Sequence, residues 1–192
     1  MKKFLMTLVV LASASPAFAV TVAQWSSTPI VSGDKTFTLG SSSGLGDAQV
    51  DVNVVDNGLL HSLNLSGLSN TSNNFTLTFT VSVNSGNNTI KTTRVSQNDV
   101  LGNATGGSTT TTNPGSFSDT LNGTQAGTAR NQAAGVTSVT FATTSFGVNG
   151  SNFLSNITYD LIQQAGPAVP EPSTFVLCGL GVVGLVAARR RR

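Results

Sequence analysis

Few side chains in this sequence could do chemistry, and most of those lack the company that chemistry needs. His61 is the only histidine, so any Ser-His-Asp or Cys-His system must run through it. The chain's one cysteine, Cys178, sits in an apolar run near the C-terminus. Leu59, His61, Leu63 and Leu65 alternate, which places His61 on a mostly apolar strand face as a structural histidine. Asp47, Asp51, Asn53, Asp56 and Asn57 concentrate hard oxygen ligands, but their spacing is not that of an EF-hand loop. Strand alternation puts Asp51 and Asn53 together on what reads as a solvated face. Neither a metal nor a cofactor is expected, and no enzymatic activity. Glu171 differs in kind: Pro170 and Pro172 flank it, forbid helix and hold its carboxylate on stiff, extended backbone. Such a group is suited to being read by another protein.

The surroundings of Glu171 have a definite order. Val169-Pro-Glu-Pro-Ser-Thr precedes the apolar run Phe175 to Ala188, which meets Arg189, Arg190, Arg191 and Arg192. Helix over residues 173–188 would rise ~24 Å at 1.5 Å per residue. That is short of a ~30 Å hydrocarbon core, a gap that arginine snorkelling can close. The four arginines favour a cytoplasmic end, leaving the bulk of the chain across the membrane. Cys178 reads as a small apolar filler of that helix.

This ordered tail resembles the PEP-CTERM sorting signal of Gram-negative bacteria. The resemblance covers residues 169–192, with all three parts in place. It implies processing by exosortase, a transpeptidase-like membrane cysteine protease that cleaves near the Pro-Glu-Pro motif. By position, Pro170, Glu171 and Pro172 are the recognition residues and Phe175 to Ala188 the transient single-pass anchor.

At the other end, Lys2-Lys3, the apolar stretch Phe4 to Ala12 and Ala17-Phe18-Ala19 follow in sequence. A basic start, a short apolar stretch and an A-x-A site form a secretory signal peptide, read by the Sec machinery and signal peptidase. Pro16 breaks the helix ahead of the site, and Ala17 and Ala19 are the small residues the peptidase requires. The expected organisation is therefore a signal peptide over 1–19, an exported domain over 20–165 and a sorting region over 166–192.

Charge is concentrated at the ends. Overall it is +2, yet between Val20 and Val169 four cations (Lys35, Lys91, Arg94, Arg130) face seven aspartates. A mildly acidic domain lacks the basic footprint needed to neutralise phosphates, so nucleic acid is excluded as a partner. Only 9% of the residues are charged, too few for a helical bundle or coiled coil, and roughly a quarter are Ser or Thr.

The middle reads as strands. Phe75 to Val83 alternates apolar residues with Thr and Ser, bounded by Asn-rich turns, and Ile90 to Val95 follows as a hairpin partner. Lys35–Leu39, Val50–Val54, Leu59–Leu65, Val136–Phe141 and Ile157–Leu161 are further candidates. Residues 102–135, with Thr109 to Thr112, hold little that could form a core and read as a low-complexity loop or insertion, with a weak strand at Phe117–Leu121. Trp25 and Tyr159 are assigned to the core. The Thr76, Thr78, Thr80 face follows from ordinary β-propensity. The fold expected is all-β: an antiparallel two-sheet sandwich, jelly-roll-like, between an N-terminal signal helix and a C-terminal transmembrane helix.

The functional expectation is an exported protein, transiently anchored in the inner membrane and then placed at the cell surface, outer membrane or outside the cell. The resemblance implies a structural or adhesive role in extracellular matrix, biofilm or floc. The alternative is a secreted carbohydrate-binding module that retains exopolysaccharide. If the N-terminal reading holds, Edman sequencing of the exported protein returns Val20 first; retention of Met1 contradicts it.

Overall fold

In the computed structural model, the residues described are 19–45, 50–68, 74–84, 88–99, 107–122, 124–147 and 154–166. The expected signal helix and transmembrane helix lie outside them. Among the described residues, thirteen strands and one short helix follow one another: β1 Ala19–Thr21, α1 Val22–Ser27, β2 Ile30–Ser32, β3 Lys35–Ser43, β4 Asp51–Asn57, β5 Leu60–Ser66, β6 Thr76–Val83, β7 Thr89–Asp99, β8 Gly107–Asn113, β9 Phe117–Asn122, β10 Gln125–Ala126, β11 Arg130–Val136, β12 Ser138–Phe146 and β13 Leu154–Gln164. One sheet runs β1-β4-β5-β13-β7-β10, with β11 also on β7, and the other runs β2-β3-β6-β12-β8-β9. Every pairing is antiparallel. An all-β chain with two antiparallel sheets is thus what the sequence led us to expect.

Period-two alternation decides which side chains go inside. In β6, Leu77, Phe79 and Val81 are buried while Thr76, Thr78 and Thr80 face out. β12 pairs Phe141 with Phe79 across the same face, and the two rings stack at 5.0 Å. From the opposite sheet Tyr159 meets Phe79 edge-on at 4.9 Å, and Trp25 of α1 leans on it at 5.4 Å. Four aromatic rings therefore join the two sheets at the centre of the core. The helix that brings Trp25 there starts at a capping box: Thr21 Oγ1 accepts the Gln24 N–H, and Gln24 Oε1 accepts the Thr21 N–H. Trp25 Nε1–H donates to the Phe37 carbonyl at 2.9 Å, so its one polar atom is satisfied.

Two expectations need correction. Of the stretch 102–135 expected as a loop or insertion, the described residues 107–122 and 124–135 carry β8 to β11, and the weak strand expected at Phe117–Leu121 is β9; residues 102–106 and 123 lie outside the described residues. β8 lies between β12 and β9 and buries Ser108, Thr110 and Thr112. An apolar pattern could not signal this strand because its inward side chains are hydroxyls, and those of Ser108 and Thr110 find partners inside. Thr110 bonds Thr143 at 2.8 Å, Thr143 bonds the Tyr159 hydroxyl at 2.7 Å, and Ser108 donates to Gln97 at 2.6 Å. Burial pushes the Tyr159 phenol well above its ordinary pKa, so it remains a neutral hydroxyl in that chain. Second, β7 is not the hairpin partner of β6. It pairs with β13 in the other sheet, because β6 is already flanked on both sides by β3 and β12.

Candidate functional site

Both sheets contribute to one buried polar cluster at an end of the sandwich. Asp34 stands in the turn between β2 and β3, His61 and Asp56 on β5 and β4, and Gln163 near the end of β13. The Asp34 carboxylate accepts hydrogen bonds from Lys35 Nζ at 2.5 Å, Asn88 Nδ2 at 3.0 Å and Gln163 Nε2 at 2.8 Å. Because Gln163 spends its amide N–H on Asp34, its Oε1 faces the imidazole and accepts the His61 Nε2–H at 3.0 Å. His61 Nδ1 has no hydrogen bond and lies 3.5 Å from Asp56 Oδ1. Two glycines permit the closeness. Gly33 has φ +57°, and a Cβ there would stand 2.3 Å from Asp56 Oδ2. Gly58, at φ +75°, closes the turn in which its N–H bonds Asp56 Oδ1 at 2.9 Å.

This arrangement ties the β2–β3 turn to β13 and β5 through hydrogen bonds and close charges. The imidazole is 1% exposed and its neighbours here are an amide and carboxylates, with no hydroxyl or thiol bonded to it. His61 is thus fully buried, on the inward face its alternation predicts. The described members of the oxygen-rich group lie on different faces of β4. Asp47 lies outside the described residues, Asp51 is exposed on the outer face of β4, and Asp56 points inward to His61. Among the described residues, no group of three or more His, Cys, Asp or Glu side chains could hold a metal. Trp25 and Tyr159 are core residues, at 1% and 0% exposure.

The outer faces of the two sheets differ sharply. Register across the six-stranded sheet lines up Ser41, Thr78, Ala142, Thr111 and Ser118 in one row. Ser43, Thr76, Thr144, Thr109 and Thr120 form the next. Neither row carries a charge. Cross-strand bonds such as Thr80–Thr140 at 2.8 Å and Thr109–Thr120 at 3.1 Å use part of the hydroxyl capacity. On the seven-stranded sheet, Arg94 instead forks onto Asp160 at 2.6 and 3.0 Å, and Ser62 adds a third bond to that carboxylate. Sequence reasoning noticed only the Thr76–Thr78–Thr80 segment. The extent of the face depends on pairing partners far apart in sequence. A shallow cleft of about 590 Å³ beside α1, lined by Val20, Trp25, Ile30 and Val31 among others, is largely apolar.

Burial of Asp34 by itself would raise its pKa, but the hydrogen bonds from Lys35 and Asn88 and the charges of Lys35 and His61 together hold it below the ordinary carboxylate value. A depressed folded pKa stabilises the protein above the unfolded value of 3.8 and loses that contribution as pH falls through the folded value. Asp34→Asn also leaves the fully buried Lys35 ammonium without its counter-charge, which costs about 3 kcal/mol at neutral pH. In urea titrations, the stability gap between wild type and Asp34→Asn is therefore expected to be constant above about pH 5 and to narrow below about pH 4. A gap independent of pH contradicts the assignment.

Ala19 begins β1, while Ala17 and the whole C-terminal tail, including Pro170, Glu171, Pro172, residues 173–188 and Arg189 to Arg192, lie outside the described residues. Comparison with curated proteins finds no match to the chain. Comparison with known families matches its C-terminus: residues 168–192 are a PEP-CTERM protein-sorting motif, consistent with an exosortase substrate.

Proposed function

We propose that the chain is a non-enzymatic exported protein, delivered by Sec, trimmed by signal peptidase, held briefly in the inner membrane by its tail and released to the cell surface by exosortase. The sorting motif at residues 168–192 carries this reading. It implies export, membrane transit and a final place at the surface or outside the cell. The mature part then serves as a structural or adhesive component of extracellular matrix, biofilm or floc. A stable domain suits that work. Its two sheets are locked by aromatic packing, and its interior polar groups are largely paired without a disulfide.

A second reading gains support from the outer face of the six-stranded sheet: a module that retains a neutral exopolysaccharide. Two parallel uncharged rows, Ser and Thr throughout except for Ala142, offer donors and acceptors suited to sugar hydroxyls. Thr78→Glu with Thr111→Glu is expected to weaken retention of the mature protein on a neutral polysaccharide gel by about tenfold, ~1.4 kcal/mol. Thr158→Glu, on the opposite sheet, is the control. Equal retention of both variants removes this reading.

Glu171 separates a sorting signal from a plain anchor. The residue precedes the apolar run and contributes nothing to insertion, so an anchor tolerates Glu171→Ala. A protease that reads an extended carboxylate does not. In an exosortase-bearing host, the variant is expected to accumulate full-length in the inner membrane while wild type reaches the surface shortened. Equal length and equal retention of the two proteins make the tail a permanent anchor instead.

A further inference from the structure

The strand registers place the end of β13 at a defined end of the sandwich. β13 runs from Leu154 to Gln164, with Ile162 opposite Leu60 and Asn156 opposite Ser66. Its last residues therefore stand beside the β4–β5 turn at Gly58 and Leu59. β1 pairs Ala19 with Asn53 and Thr21 with Asp51. It runs away from that turn, its first residue opposite a position four residues before the end of β4. Gln163 bonds Asp34 there, which adds the β2–β3 turn to this end.

Large apolar side chains are exposed here too. Among the described residues, those recorded as exposed are Val31 at 64%, Leu59 at 52% and Ile162 at 44%. Leu59 lies in the β4–β5 turn itself. Ile162 stands opposite Leu60 on β13, and Val31 precedes Gly33 and Asp34 by two or three residues. Leu59 and Ile162 thus border the β4–β5 turn and Val31 the β2–β3 turn, the two turns that carry Asp56, Gly58, Gly33 and Asp34 in or beside them.

Linker length adds a constraint. Residues 165–174 separate the end of β13 from the apolar run that starts at Phe175. Ten residues reach at most about 35 Å when fully extended, and Pro167, Pro170 and Pro172 shorten that toward ~3.1 Å per residue. The 11-residue β13 is itself about 35 Å long at ~3.3 Å per residue. To set the far end of the sandwich on the bilayer, the linker would have to run back, fully stretched, along the whole domain. The near end reaches the bilayer with no such demand.

We propose that, while the tail is still attached, the end of the sandwich bearing Val31, Leu59 and Ile162 rests on the lipid bilayer, the three side chains entering its headgroup region. This rests on the reading of the tail as a transient membrane anchor. The contact holds the Pro-Glu-Pro segment close to the membrane surface, where a membrane-embedded protease works. It is small enough to be lost once the tail is cut, since three half-exposed side chains make a weak interfacial contact without the helix.

The test uses the full chain with Cys178→Ala, reconstituted in phosphatidylcholine vesicles carrying a nitroxide on the lipid headgroup. A fluorophore is placed singly at Val31→Cys, Leu59→Cys or Ile162→Cys, and at Ser43→Cys or Ser66→Cys on the opposite end. Quenching several-fold stronger at the first three sites is expected. Equal quenching at both ends, in protein that floats with the vesicles, overturns the proposal and leaves the anchor intact. Failure to float removes the anchor reading and the proposal with it. In a second variant, Leu59→Asp with Ile162→Asp is expected to relieve the quenching at Val31→Cys while flotation persists. Unchanged quenching there shows that the linker alone sets the position, and the apolar contact is withdrawn.

Discussion

Asp34 gathers side chains from three parts of the chain at one carboxylate: its neighbour Lys35, Asn88 ahead of β7, and Gln163 on the last strand. Lys35 is fully buried, so its ammonium depends on that carboxylate for its charge balance. Removing one partner of such a pair costs about 3–5 kcal/mol, whereas an exposed pair contributes about 1 kcal/mol or less. Arg94 is 47% exposed, so its bridge to Asp160 falls nearer the second class. Asp34 is thus the electrostatic fastening that matters most. It joins the β2–β3 turn of one sheet to β5 and β13 of the other, beside the point where the chain leaves toward the sorting motif. His61, Asp56 and Gly33 take their positions around it.

Farther inside, cohesion changes character across the sandwich. Around β3, β5 and β6 the two sheets meet through Phe37, Leu63, Leu65, Phe79 and Tyr159. Toward β8 and β7 they meet through Ser108, Thr110, Thr143 and Gln97. The polar zone is tolerable because its hydroxyls bond one another, which avoids the roughly 1–3 kcal/mol cost of each unsatisfied buried group. A chain this poor in aromatic residues can still fill two six- or seven-stranded sheets in this way. The composition that builds the interior also gives the uncharged hydroxyl rows on the outer face.

What could be read in advance followed the physics of the signal. Phe75 to Val83 was legible because it alternates bulky apolar residues with Thr, and it became β6, Thr76–Val83. Lys35 and Leu63 were legible within strands for the same reason. β8 was not, since Ser and Thr at inward positions look the same as Ser and Thr at outward ones. Helix α1 carries a readable Thr21-x-x-Gln24 capping box, but six residues with Val22 and Trp25 buried give too short a pattern for periodicity to show. The polar cluster was beyond reach, because Gln163 is 102 residues from His61 and 129 from Asp34. The sorting motif was the easiest feature of all. The motif is defined by the order of its residues, so it is legible in the sequence without a fold.

The proposed surface location depends on the tail being a processed signal. The most direct measurement is the intact mass of wild-type protein recovered from the cell surface of an exosortase-bearing host, with its C-terminal residue assigned by fragmentation. A C-terminus upstream of Phe175, with the apolar run and all four arginines gone, is the predicted result. Surface protein that still ends in Arg189 to Arg192 contradicts the account.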